Sequence, residues 1–225
     1  MPKKTLTKLI ILSGVLSMIF DLLDYEFYGV FKAITTGLIV FLAWNFRNSD
    51  YPKYNKLIRL GLIFCLLGDV ALLSNSSFVW GMAAFLLGHF LFSEAFKIFD
   101  NLKSLKGELV FLIVIGIGTL AFLYSALGEF LIPAILYIAV IIYTCWMGFR
   151  FSKSDISEKF SKIYLAMSLF VISDILVAID RFIWDDIWLS LLILPLYWSA
   201  VYILADSSTR VEIEKKIQTK HRSWV

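Results

Sequence analysis

The sequence predicts an all-α fold: a polytopic membrane bundle of about eight transmembrane helices with the N- and C-termini cytoplasmic. Three observations carry that prediction. Of 225 residues, 60% are apolar and 17% charged, whereas soluble domains are about half apolar and a quarter charged. Mean hydropathy is +0.80, more hydrocarbon than a soluble body of this size keeps off its surface. The apolar residues gather into long runs without period-two alternation, which favours helices over barrel strands. The same composition excludes disordered, collagen-like and disulfide-stapled chains.

Eight apolar segments follow one another at about 6–23, 31–46, 57–74, 78–96, 108–127, 130–149, 162–180 and 187–205. Each is about 16–20 residues, near the ~20 that cross ~30 Å of hydrocarbon as a helix. The first begins after Lys3 and Lys4, in the manner of a secretory signal. No small-x-small cleavage site follows it; Asp21-Leu-Leu-Asp24 does, so it reads as an uncleaved helix. The second is the shortest and opens on Lys32. The third holds Cys65 and Asp69, the fourth His89, with Glu94 close enough to the inner end to snorkel. The sixth contains Cys145; both cysteines lie inside apolar runs and read as small hydrophobes. The seventh carries Asp174 and closes on Asp180-Arg181. The eighth is rich in aromatics, and Trp80, Trp184 and Trp188 read as an outer interfacial belt.

Charge fixes the orientation. With the N-terminus inside, 19 of the 21 basic residues fall on the inner side, and only Lys32 and Arg181 on the outer. The outer loops carry Asp21, Asp24, Glu26, Glu129, Asp185 and Asp186 instead. Residues 1–205 are thus expected to form the transmembrane domain and 206–225 a basic cytoplasmic tail. The positive charge is read as topology and contact with anionic membrane lipids, not as nucleic-acid binding. No loop exceeds about a dozen residues, so any chemistry must occur within the bundle. Leu67-Gly68-Asp69-Val70 in the third segment echoes Ile172-Ser173-Asp174-Ile175 in the seventh. Segments four apart run in the same direction, which suggests a parallel repeat of two four-helix halves.

An ionisable group in hydrocarbon costs at least ~2.5–3.5 kcal/mol, so each needs a reason. At 1.5 Å per residue, Asp69 is expected roughly 7–8 Å below the outer end of its helix, Asp174 roughly 9 Å and His89 roughly 16 Å. Lys32 and Arg181 stand at the outer edge. One reading is structural: Asp69 pairs with Lys32 or Arg181 to lock helices, and His89 donates to a carbonyl. The other is a shared cavity. Two carboxylates in one cavity repel, so one holds a proton, giving a general acid beside a carboxylate. That pairing cleaves acetal-type C–O bonds, and it also serves a proton relay in a carrier. A metal site built from Asp69, His89 and Asp174 has too few histidines for zinc, and the same shortage counts against an alkaline-ceramidase-like hydrolase. No G-x-S-x-G elbow or phosphate-binding glycine loop is present. Neither metal nor organic cofactor is predicted.

The chain resembles the YhhN family, the lysoplasmalogenase-like eight-span membrane proteins. The resemblance rests on Lys32 before Thr35-Thr36, Gly68-Asp69-Val-Ala-Leu-Leu, and Phe78-x-x-Gly81-Met-x-x-Phe85-x-x-x-His89. Ser173-Asp174, Arg181-Phe182 and Tyr197 complete it. The chain departs from the family pattern at Ala33, where a proline often stands, at Phe92, often tyrosine, and at Val201, near an expected glutamine. The resemblance implies hydrolysis of the vinyl ether bond of lysoplasmalogens to a fatty aldehyde and glycerophosphocholine or glycerophosphoethanolamine. It implies Asp69, Asp174 and His89 as catalytic residues. Lys32 and Arg181 are then phosphate ligands, and Tyr197, Tyr202 and Trp198 contacts for the head group. The lysophospholipid would enter sideways from the membrane lipids. The alternatives are a proton-coupled transporter and a lysolipid-binding protein without turnover. A multi-pass protein of a bacterial plasma membrane is expected; the sequence does not fix its oligomeric state.

Overall fold

A computed structural model describes residues 1–46, 51–99, 102, 104–153, 158–184 and 186–209. Arg47, Lys103, Asp185 and the tail from Arg210 lie outside the described residues. Among the described residues there are nine α-helices and no strand: α1 Lys3–Leu22, α2 Phe27–Asn45, α3 Pro52–Ala71, α4 Phe78–Phe96, α5 Lys106–Leu127, α6 Leu131–Ser152, α7 Glu158–Ser161, α8 Ile163–Phe182 and α9 Ile187–Ser207.

Local sequence explains the boundaries. Pro52 opens α3, where its missing N–H costs nothing. α3 ends at Ala71, before the serine-rich turn that leads to α4, so Asp69 lies two residues from its end rather than five. Gly128 adopts φ +48 between α5 and α6, a conformation glycine enters freely. Asp186 caps α9 by accepting the Trp188 amide at 3.0 Å. The short α7 falls between segments the hydropathy pattern separates. Six helical stretches are long and apolar enough to cross a membrane: α1, α2, α4, α8, α9 and Lys106–Ser152, in which α5 and α6 run together. α3 is as long, but it carries Lys53, Lys56, Arg59 and Asp69.

The outward faces are hydrocarbon: Ile11, Phe111, Val114, Ile117 and Ile132 are all exposed. Polar groups point inward instead, with Thr36, Asp69 and His89 buried among Ile39, Leu62, Phe92 and Phe170. α1 runs antiparallel along α9. The Lys3 ammonium meets the Asp206 carboxylate, Thr7 and Tyr202 share a hydrogen bond of 3.0 Å, and Ser190 donates to Asp21 at 2.7 Å. The start of α1 and the end of α9, and so Lys3 and Thr209, therefore meet at one end of the bundle. Tyr51, Tyr54, Phe99, Phe151 and Phe160 close the same end, in edge contacts such as Tyr51–Phe99 at 5.2 Å and Tyr54–Phe160 at 5.4 Å. A triangle of Phe78, Phe130 and Phe182 lies at the other.

α3 and α4 pack most closely. Gly61 and Gly68 on α3 face Gly88 and Gly81 on α4, an antiparallel register of seven-residue steps. A Cβ on Gly88 would stand 3.1 Å from the Gly61 carbonyl oxygen, and one on Gly81 3.5 Å from that of Gly68. Small residues in this arrangement let backbones approach directly. Phe92, one of the departures from the family pattern, lies with its ring over Gly61, and Val201 is fully buried in the core.

The order of packing repeats. α1 packs on α2, α2 on α3 and α3 on α4; α5 packs on α6, α6 on α8 and α8 on α9. The halves then cross, with α4 against α6 and α2 against α9. The correspondence is incomplete: α1 packs along α9 whereas α5 turns to α8 rather than to α4, and α3 touches α9 without a matching packing of α8 on α4.

Candidate active site

The gap between α4 and α5 is a cavity of about 140 Å³. Its wall is mostly apolar, from Met82 and Phe85 on α4 to Leu112, Gly116 and Leu123 on α5. Lys32, Asp69, Tyr137, Asp174 and Tyr197 are the polar groups that converge on it, with Thr119 and Ser173 beside them. Both aspartates thus open on one space.

Asp69 is 2% exposed. Its Oδ2 accepts the Thr36 hydroxyl at 2.6 Å and the Tyr197 hydroxyl at 2.8 Å, while Lys32 Nζ stands 3.9 Å from Oδ1. Lys32 is itself buried, with its ammonium 6.0 Å from the centre of the Tyr28 ring. Trp198 Nε1 donates to the Thr36 hydroxyl at 3.1 Å, so α2, α3 and α9 are joined through one carboxylate.

Asp174 is less enclosed. Tyr137 donates to its Oδ2 at 3.1 Å. His89 Nε2 lies 3.4 Å from the same oxygen but off the line of a hydrogen bond, and neither ring nitrogen of His89 has a hydrogen-bond partner. The imidazole is held by aromatic edges instead, with Phe170 at 4.6 Å and Tyr137 at 6.0 Å between ring centres. A fully buried, unpaired imidazole is costly in a structural role, and its position beside Asp174 is the plainest reason for it. Among the described residues no group of three or more metal-ligating side chains forms.

Of the seven residues singled out from sequence, Lys32, Asp69, Asp174 and Tyr197 line the cavity, and His89 backs onto it through Asp174. Arg181 stands at the outer rim, exposed, with its guanidinium 4.7 Å over the ring of Phe78, which does line the cavity. Tyr202 is elsewhere, five residues further along α9 and bonded to Thr7. Trp198 touches Thr36 and Gly14 rather than the cavity. Sequence reasoning missed Tyr137 and the part played by Thr36. The signal for Tyr137 was a tyrosine within a span, away from the interfacial belt where tyrosines usually sit.

Comparison with known proteins bears on this geometry. The chain matches the YhhN family over residues 27–208, which takes in every residue that lines the site. It is 30% identical over 120 residues to proteins named uncharacterized membrane protein YhhN from Escherichia coli and Shigella flexneri, covering 53% of this chain and 57% of theirs. The aligned part thus spans little more than half the length of these relatives. It is also 28% identical over 195 residues to lysoplasmalogenase TMEM86A of Bos taurus, covering 79% of this chain and 78% of that protein. No solved structure matches. With apolar helices, lipid-like outward faces and a family match across most of its length, the chain is an integral membrane protein and belongs to the YhhN family.

Proposed function

We propose that the chain is a lysoplasmalogenase-like intramembrane hydrolase, which cleaves the vinyl ether bond of a lysoplasmalogen. The products are a fatty aldehyde and glycerophosphocholine or glycerophosphoethanolamine. The observation that carries the proposal is that Asp69 and Asp174, each costly in hydrocarbon, open on one apolar cavity. The name of the bovine relative supports the same reaction.

Vinyl ether hydrolysis begins with a proton delivered to the alkene carbon remote from oxygen. The alkene electrons form the new C–H bond and leave an oxocarbenium ion, which water captures. The hemiacetal then releases aldehyde and glycerol hydroxyl. A carboxylic acid supplies the proton, and a carboxylate stabilises the cation. No metal or organic cofactor enters the scheme. The cavity is close in size to one that takes up a benzene ring, about 150 Å³. It therefore holds the alkenyl end of a single chain, while the rest of that chain lies between α4 and α5 against lipid. Lys32 at the cavity edge and Arg181 at the rim are the cations for the phosphodiester. In this reading all eight long helices span the membrane, α3 included. The end that holds Lys3 and Thr209 faces the cytoplasm of a bacterial cell.

The test is aldehyde release from lysoplasmenylethanolamine and lysoplasmenylcholine by purified protein in bilayers. Wild-type protein should turn over, and in heavy water the aldehyde should carry one deuterium beside its carbonyl. Asp69→Asn and Asp174→Asn should each lose at least about 100-fold in kcat. No aldehyde from either head group overturns the proposal, and intact substrate crossing sealed vesicles would make the protein a carrier. Reporter fusions at the two ends check the topology, which requires both on the cytoplasmic side.

A further inference from the structure

We propose that the two carboxylates divide the work: Asp69 is the fixed anion, Asp174 carries the proton to the substrate, and Tyr137 positions that acid. This rests on the hydrolytic reading above and adds to it which group does what.

The hydrogen bonds at Asp69 run toward its carboxylate. An indole N–H only donates, so the Thr36 hydroxyl receives Trp198 and has its own hydrogen free for Asp69, to which it donates. With Tyr197 as the second donor, Oδ2 of Asp69 is filled by two hydrogens. Oδ1 faces the Lys32 ammonium, which also only donates. Asp69 is thus surrounded by donors, two hydrogen-bonded hydroxyls on Oδ2 and a cation 3.9 Å from Oδ1, which is the setting of a carboxylate anion. At Asp174 the arrangement is open. Oδ2 takes the Tyr137 hydroxyl, Oδ1 has no partner among the described residues, and Asp174 lines the cavity.

The two half-sites correspond in outline, which makes the difference in their charged neighbours informative. Each carboxylate takes a hydroxyl from the second helix of its own half, Thr36 of α2 for Asp69 and Tyr137 of α6 for Asp174. Each also meets a ring from the fourth helix of the other half, Tyr197 of α9 and His89 of α4. One turn before Thr36 stands Lys32; one turn before Tyr137 stands Pro133. Lys32 is a permanent cation beside Asp69, whereas His89 beside Asp174 is charged only when protonated, so the Asp69 half-site is the one that holds a permanent anion at the lower cost.

The reaction then balances on Asp174 alone. Its O–H proton passes to the remote alkene carbon, the alkene electrons form that C–H bond, and the O–H electrons stay on Asp174 as carboxylate. Asp69 stabilises the cation shared between carbon and ether oxygen. Water adds at that carbon and returns a proton to Asp174. The hemiacetal hydroxyl proton leaves with the glycerol oxygen, so one water is consumed and the acid is restored.

The test reads the proton directly, by infrared spectroscopy of the full-length protein in bilayers at neutral pH. The carbonyl stretch of a protonated carboxylic acid should be present in the wild type, absent in Asp174→Asn and retained in Asp69→Asn. In Tyr137→Phe, which removes only the hydroxyl, the band should move to higher frequency, and kcat should fall about tenfold with KM unchanged. Loss of the band in Asp69→Asn, or its survival in both aspartate variants, overturns the division of roles. A band unmoved in Tyr137→Phe overturns the positioning role. The expected band pattern in a protein that releases no aldehyde would uphold the proton assignment and overturn the hydrolytic reading.

Discussion

Lys32 and Asp69 each owe their place to the other. Both are buried, so removing one leaves an uncompensated charge in a low-dielectric interior, whereas removing both does not. Lys32→Met and Asp69→Asn should each lower stability in detergent by about 3 kcal/mol. The double variant should recover most of that loss, and thermal unfolding of the three proteins measures the coupling. At this scale the sequence was legible where physics sets a penalty. Asp69, Asp174, His89 and Lys32 drew attention because ionisable groups in hydrocarbon demand partners. Thr36 and Tyr137 sit in apolar runs almost without cost, so their hydroxyls became meaningful only when packing aimed them. For Tyr202 and Arg181 the residue type was visible but not the direction, since five residues along a helix move a side chain from the cavity to the far end of another interface.

The α3–α4 seam and the α5 wall define what the helices contribute. Gly88→Ala brings a methyl against the Gly61 carbonyl, a backbone atom that cannot step aside, and should cost about 1–3 kcal/mol. Gly37→Ala, with nothing within 4 Å of the added carbon, should be neutral or slightly stabilising. Comparative unfolding in detergent separates the two. Thr119→Phe on the cavity side of α5 should lower kcat/KM by at least about tenfold, while Ile117→Phe on its exposed side should leave turnover unchanged. Helices were the easiest feature to anticipate, because length and hydropathy follow directly from the thickness of the bilayer. Their ends were less so. α3 starts at Pro52 and stops at Ala71, where turn-forming serines and a proline act on backbone geometry that hydropathy does not register. The glycine spacing of seven was in the sequence throughout, but only antiparallel pairing makes it a seam.

Across the molecule, the start of α1 and the end of α9 share one end of the bundle, where Lys3 meets Asp206. The repeat was nearly invisible, since packed apolar positions accept many side chains and retain little resemblance. It survives as four residues around each aspartate and, in space, as an order of contacts. One exception to that order is the productive one: where α5 turns to α8 rather than to α4, the molecule has its cavity. The crossing of the halves has a further consequence. A polypeptide ending after α4 would hold Asp69 but not Tyr197, and one beginning at α5 would hold Asp174 but not His89. Produced apart, the two fragments should be inert; produced in the same membrane, they should find each other and regain turnover, because each is the missing wall of the other.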